Sequence, residues 1–391
     1  MKKLASCLSV LLPLFLVSLF PAWSSGSPPP ARSAITTKTA PAPAIAPAKP
    51  AGEDQWKAIV EAAKKEGELR IYTSIAPEVR TEVQNAFRDK FGIKIEFVTG
   101  LPAELVAKVL RERRANLYLA DLFIEGASVQ IVNLKGEGLI EPLEKLLILP
   151  EVKDPKAWQA GHVPYLEKEK LAISFLASHA PRILRNTNLV KAGEITSYMD
   201  LLKPQWKGKI VLSDPTIPGP MATFCTMLAV HIWDVPKTRE YLQRLARQEP
   251  AITRDARLAV EWVAREKYSL GLGARPEMAA SFWTAKSPIE VVRATEGRIV
   301  SPGSGCISFA KNAPHRKSAQ VFLNWLLSHE GQVLFARGSM MPSARVDVPT
   351  TGMTPMLLAE PGEKIFLEDE TDILMRPEIM KITKEIMGPL M

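Results

Sequence analysis

At 391 residues the chain is longer than one ordinary domain, and its 46% apolar and 24% charged content is that of a soluble globular protein. Its net charge of +8 is local: residues 1–52 hold Lys2, Lys3, Arg32, Lys38 and Lys49 and no acid, so the remainder carries 45 basic against 42 acidic residues, a net of +3. No dense Lys/Arg run follows, and Arg111, Arg113 and Arg114 are interleaved with Glu112, which argues against a nucleic-acid partner.

Residues 1–24 read as an export signal. Lys2 and Lys3 precede an apolar stretch from Leu4 to Phe20, and Ala22 and Ser24 are small residues at cleavage spacing. The stretch is long for a signal, so an uncleaved anchor helix is the alternative. Leu4-Ala5-Ser6-Cys7 looks like a lipoprotein box but is misplaced, because the apolar region follows the cysteine. Residues 25–52 are rich in Pro, Ala, Ser and Thr and form a linker; at ~3.1 Å per residue it spans up to ~80 Å. No later stretch approaches the ~18 apolar residues of a membrane span. The expected location is therefore the periplasm, free or tethered. In that oxidising compartment Cys225 and Cys306 are able to pair, but the apolar run from Phe224 to Val230 also suits Cys225 as a small hydrophobe.

The folded part opens with Trp56, Ile59, Val60 and Ala63 at helical spacing, closed by Gly67. Leu69 to Ser74 reads as a strand. Pro77 starts a helix whose stripe is Val79, Val83, Ala86, Phe87 and Phe91, stopped by Gly92. Ile93, Ile95 and Phe97 alternate as a second strand. A helix runs from about Pro102 to Arg113, and Asp121 to Ile124 makes a third strand. The pattern restarts with Leu171 to Leu176, Lys209 to Leu212, a helix from about Pro220, an amphipathic helix through Ala256, Ala259, Val260, Val263 and Ala264, and the strand Tyr268 to Gly273. Ala319, Phe322, Leu323, Leu326 and Leu327 stripe a late helix. This is an α/β pattern with parallel sheets, in two units.

Four phrases, in order, carry a family resemblance: Trp56 with Ala62 to Leu69 and Tyr72-Thr73-Ser74; Phe87 with Lys90 to Glu96; Asp200 to Ile210 running on to Asp214-Pro215; and Phe322 to Gln332. Together they resemble the solute-binding proteins of ATP-driven (ABC) importers, of the ferric-ion-binding type. The resemblance implies two Rossmann-like α/β lobes joined by crossing strands, the type II periplasmic-binding-protein architecture. It divides the chain into lobe 1 (53–168 plus 303–345) and lobe 2 (169–302 plus 346–391). It also implies a monomer that closes on a small-molecule ligand and delivers it to an ABC permease in the inner membrane. Ferric-binding members use adjacent tyrosines after the Gly-containing strand. Here Leu270-Gly271-Leu272-Gly273 is followed by Ala274-Arg275-Pro276-Glu277, no two tyrosines are adjacent, and Ile75 follows Tyr72-Thr73-Ser74. A guanidinium near a ferric ion is repelled by it, so an anionic ligand is expected, with ferric iron and a sensing role without transport as the alternatives.

Ligands of open α/β sheets sit outside the carboxyl ends of the strands. That rule selects Thr73 and Ser74 before a helix start, Gly126 and Ser128 after the third strand, Thr216 and Gly219 after Asp214-Pro215, and Arg275 as the arginine fork for a carboxylate or phosphate. Arg254, between Thr253 and Asp255, reads either as a cleft residue or as part of a helix-cap cluster. Phe282 and Trp283 suit a pocket wall or a core. No cofactor and no metal site are expected: His162, His179, His231, His315 and His329 show no ligand spacing, and no zinc pattern of Cys and His occurs. The chain lacks Gly-x-Ser-x-Gly, Walker-A and His-Glu-x-x-His patterns, so no enzyme is expected. Glu368-Asp369-Glu370 reads as a solvated acidic stretch.

Overall fold

The computed structural model describes residues 53–391 apart from 179–182, 275–278, 280, 284, 354–356 and 360–361. The signal and linker, residues 1–24 and 25–52, lie outside the described residues, as do His179 and Arg275.

Local rules account for the first elements. Helix Glu53–Glu66 carries Glu53 and Asp54 in its first turn and Lys64 and Lys65 in its last, the order that the helix dipole favours. Gly92 ends helix Pro77–Phe91 with φ 72°, and its N–H donates to the Arg88 carbonyl. Between and after them come strands β1 (Glu68–Thr73) and β2 (Lys94–Thr99), helix Pro102–Arg114 and strand β3 (Leu122–Glu125). Further along the chain lie β4 (Ile140–Glu141), β5 (Ala172–Ser174), β6 (Ile183–Asn186), β7 (Ile210–Ser213), β8 (Ala251–Thr253) and β9 (Leu270–Leu272). The last four strands are β10 (Ile289–Val292), β11 (Arg298–Val300), β12 (Cys306–Ala310) and β13 (Ile365–Leu367).

The first sheet has the order β2-β1-β3-β12-β4, with β5 also paired to β12. Strand β1 is parallel to β2 and β3, while β12 runs antiparallel to β3. The second sheet has the order β10-β6-β9-β7-β8, with β7 parallel to β8 and β9 and β6 antiparallel to β9. The two sheets thus share one plan: a three-strand parallel unit with its first strand in the centre, flanked by an antiparallel strand. Each has its own core. Phe87, Phe322 and Trp325 anchor the first; Tyr198, Phe224, Leu228 and Tyr241 anchor the second.

Ala172–Ser174, expected in the second lobe, pairs with Ser308–Cys306 in the first sheet. Its residues Ala172 and Ile173 are fully buried there, and a return to the first core satisfies them before the chain leaves. After β5 the chain leaves the first sheet at Ser178, and after β11 it returns to it at Ser301. The two crossings are hydrogen bonded to each other, Ser178 N to Ser301 O at 2.8 Å and Ser301 N to Ser178 O at 3.1 Å. Strand β13 pairs in parallel with β11 beside them. On this ribbon the side chains alternate: Ile299 and Phe366 enter the second core, Val300 and Leu367 the first. A strand's two-residue period is what allows one ribbon to serve both cores.

The C-terminal helix Glu370–Met387 was not apparent from the sequence, where Pro377 interrupts it and acids crowd its start. The solvated reading of that acidic stretch is corrected here. Glu368 is buried, and Asp369 caps the helix by accepting from Thr371 N at 2.7 Å. Glu370 accepts from Lys135 Nζ at 2.7 Å.

Candidate functional site

In each sheet the first strand of the parallel unit is a switch point, because β2 and β3 lie on opposite sides of β1, and β8 and β9 on opposite sides of β7. Crevices outside the carboxyl ends of such strands are where open α/β sheets bind ligands. The rule selects Thr73 and Ser74 at the end of β1, and Ser213 and Asp214 at the end of β7.

In the first sheet, Thr73 is fully buried. Its hydroxyl donates to the Ile124 carbonyl at 2.7 Å and accepts from Ile75 N at 3.1 Å, so it fixes the loop and leaves the exposed chemistry to Ser74. Ser74 Oγ donates to Glu125 Oε2 at 2.7 Å. Burial pushes the Glu125 carboxyl above its ordinary range despite that hydrogen bond, and its Oε1 has no partner among the described residues. Gly126 passes close to the returning crossover: a Cβ there would lie 3.2 Å from the Gly303 carbonyl. Ser128 is exposed, and its Oγ accepts from Arg376 Nη1 at 3.3 Å.

In the second sheet, Asp214 organises the loop. Its Oδ1 accepts from Thr216 N at 2.8 Å and Thr216 Oγ1 at 2.6 Å, and its Oδ2 accepts from Arg254 Nε at 3.0 Å. Burial opposes ionisation, but the hydrogen bonds from Thr216 and Arg254 outweigh it and hold the carboxyl below its ordinary range. Arg254 is itself 71% exposed at the side chain. The structure therefore brings Thr216 and Arg254 together on one carboxylate. Gly219 is extended at φ 165° and precedes helix Pro220–Met227; its carbonyl accepts from Thr223 N at 3.0 Å. Phe282 packs with Trp283 against the Ala259–Val263 core, and the Arg257 guanidinium lies 5.3 Å from the Phe282 ring centroid.

Sequence reasoning missed Glu125 and Asp214 as organisers, read Glu368 as solvated, and missed Arg376 altogether. Glu368 Oε2 accepts from Ser301 Oγ at 2.7 Å, and Arg376 Nη2 donates to Glu368 Oε1. The available signal was positional: Glu125 ends β3 and Asp214 follows β7, where a buried acid requires a donor.

Cys225 lies in the second core, its thiol pushed up to about 12 by burial, and Cys306 lies among Ala127, Ile131, Leu166, Ala172 and Ile373. Both are free. A cavity of ≈ 180 Å³ lies at the crossover ribbon, lined by residues that include Gln159, Tyr165, Leu176, Val300 and Leu367.

A model of the bacterial extracellular solute-binding protein family matches residues 119–355. That is more than half of the chain, and the chain belongs to this family. An uncharacterized protein of Haemophilus influenzae is 27% identical over 285 residues, 71% of this chain and 78% of that protein. Among solved structures, Trichodesmium FutA (IdiA) in complex with iron and citrate superposes with a TM-score of 0.66 at 20% identity, over 82% of this chain and 99% of that one. The periplasmic binding protein AfuA of Actinobacillus pleuropneumoniae, with exogenous fructose-6-phosphate bound, gives 0.57 at 22% identity, over 83% and 98%. These likenesses show a shared fold, the two-lobed α/β architecture of type II periplasmic binding proteins. No helix among the described residues is long and apolar enough to cross a membrane.

Proposed function

We propose that this protein is the periplasmic component of an ABC importer, and that it captures a small anionic solute between its two lobes by hinge closure. It then works as a monomer, performs no chemistry on the solute, and hands it to a permease. The lobes are the units built on the two sheets, and the hinge is the hydrogen-bonded crossover ribbon. A solute that touches both switch-point loops binds the closed form better than the open one, which shifts the population toward closed.

The observation that carries the anion reading is the Asp214, Thr216 and Arg254 cluster at the second switch point. A guanidinium held by Nε on a buried carboxylate presents its remaining donors in a fixed direction, the geometry that carboxylates and phosphates accept. The solved relatives hold citrate with iron, or a sugar phosphate. The iron-citrate relative makes ferric iron a second reading. The positions of the tyrosines favour the anion instead. Tyr72 donates to buried Glu112 at 2.9 Å, Tyr198 to the Gly297 carbonyl at 2.8 Å and Tyr241 to the Tyr198 carbonyl at 3.2 Å. Tyr118, Tyr165 and Tyr268 also lie outside the switch-point loops.

Thermal-shift screening of the purified protein against citrate, ferric citrate, phosphorylated sugars and inorganic phosphate tests this. A solute at a hundredfold excess over its Kd adds about 2.7 kcal/mol, worth roughly 5–10 °C for lobes of this size. Stabilisation by ferric iron alone, with no response to any anion, overturns the anion reading. Scattering that shows no compaction with a bound solute overturns capture by closure.

A further inference from the structure

The C-terminal helix runs from one switch-point region to the other. At its start Glu370 N donates to the Leu166 carbonyl at 2.9 Å, and Ile373 packs with Ala127, Ile131 and Cys306 beside the first sheet. After Pro377, Ile379, Ile382 and Met387 enter the second core, and Thr383 Oγ1 donates to the Pro215 carbonyl at 2.9 Å. Arg376, on the first side, meets Ser128. Seven residues separate Arg376 from Thr383, roughly 10 Å along a helix axis. The same helix therefore touches the loops after β3 and β7, at points on its axis a small molecule's length apart.

Those loops are built alike. After β7, a hydroxyl (Thr216) sits beside a guanidinium (Arg254) whose Nε is held by buried Asp214. After β3, a hydroxyl (Ser128) sits beside a guanidinium (Arg376) whose Nη2 is held by buried Glu368, itself fixed by Ser301. The Nε of Arg376 is buried with no hydrogen-bond partner among the described residues. Each carboxylate orients its arginine and also neutralises it. A solute with one anionic group competes with a resident carboxylate for one fork. A solute with two such groups engages both forks, and its second contact becomes intramolecular, which multiplies the affinity.

We propose that Arg376 binds the solute opposite Arg254, and that the solute carries two anionic groups, carboxylate or phosphate, on a short carbon frame. This rests on the reading of the chain as an anion carrier. The test is isothermal titration calorimetry of the full protein with succinate, glutarate, citrate and glycerol 3-phosphate against acetate and butyrate. The expected result is tighter binding of at least one two-charge anion than of either monocarboxylate. Arg254→Met and Arg376→Met are each expected to weaken that anion by tenfold or more. Because Arg376→Met strands a buried acid, the double variant Arg376→Met/Glu368→Gln is measured beside it and is expected to show the same loss. Wild-type affinity in the double variant, equal affinity for monocarboxylates, or no binding of any two-charge anion at millimolar concentration overturns the proposal. Compaction of the protein by acetate or butyrate alone, seen in scattering, would leave the anion carrier standing and remove this inference alone, whereas compaction by a neutral solute alone would remove both.

Discussion

Gly273→Ala is the perturbation whose cost the structure specifies best. Gly273 follows β9 with φ 73°, and its carbonyl accepts from Ser213 Oγ at 2.8 Å, which ties it to the loop that carries Asp214. An added Cβ would lie 2.5 Å from Met221 Cγ and 3.2 Å from Met221 Sδ and Ser213 Cβ. Two costs add. A non-glycine residue in the left-handed region costs roughly 1–2 kcal/mol, and displacing a packed side chain typically costs about 1–3 kcal/mol. The sum is roughly 2–5 kcal/mol, or a fall in Tm of at least 4 °C for the second lobe. Met221 is fully buried, so Met221→Ala alone costs about 2–5 kcal/mol. It also removes the atoms the new methyl would strike. In the Met221→Ala background, Gly273→Ala should therefore cost little beyond the backbone strain, about 1–2 kcal/mol, because only the Ser213 Cβ contact at 3.2 Å remains. The assay is a double-mutant cycle by thermal or chemical denaturation. Strict additivity of the two changes would refute the steric argument.

Other expectations follow from the buried acids and thiols. Asp214 has a depressed pKa, so its pairing stabilises the fold above the ordinary carboxylate pKa and is lost as pH falls through the depressed value. The Tm difference between wild type and Asp214→Asn should be largest near neutrality and vanish in strong acid; a difference that persists there contradicts the reading. Glu125 has the opposite sign: burial raises its pKa, so ionisation destabilises the fold as pH rises from the ordinary value toward the raised one. Glu125→Gln should match wild type in acid and exceed it in Tm at higher pH. Cys225 and Cys306 are buried and free, so neither should react with a thiol reagent in native protein and both should react in denatured protein. Rapid labelling of the native chain at either position would show that the cores open.

Much of the fold is legible in the chain because local chemistry dictates it. Gly67 and Gly92 both adopt positive φ where the periodic stripes end, and Pro77, Pro102 and Pro220 each open a helix. Those are properties of one residue and its immediate neighbours. Tertiary structure decided what those rules leave open. Ser74 meets Glu125 across 51 residues, and Arg254 meets Asp214 across 40. Three successive acids take three roles: Glu368 buried on Arg376 and Ser301, Asp369 as a helix cap, and Glu370 paired with Lys135. No composition or period distinguishes them, because the charge state and exposure of each depend on a partner that only the folded chain delivers. The α/β alternation of this solute-binding protein was written in short-range pattern. The placing of its terminal helix against both loops was decided by burial, since Ile373 and Ile379, six residues apart, belong to different cores.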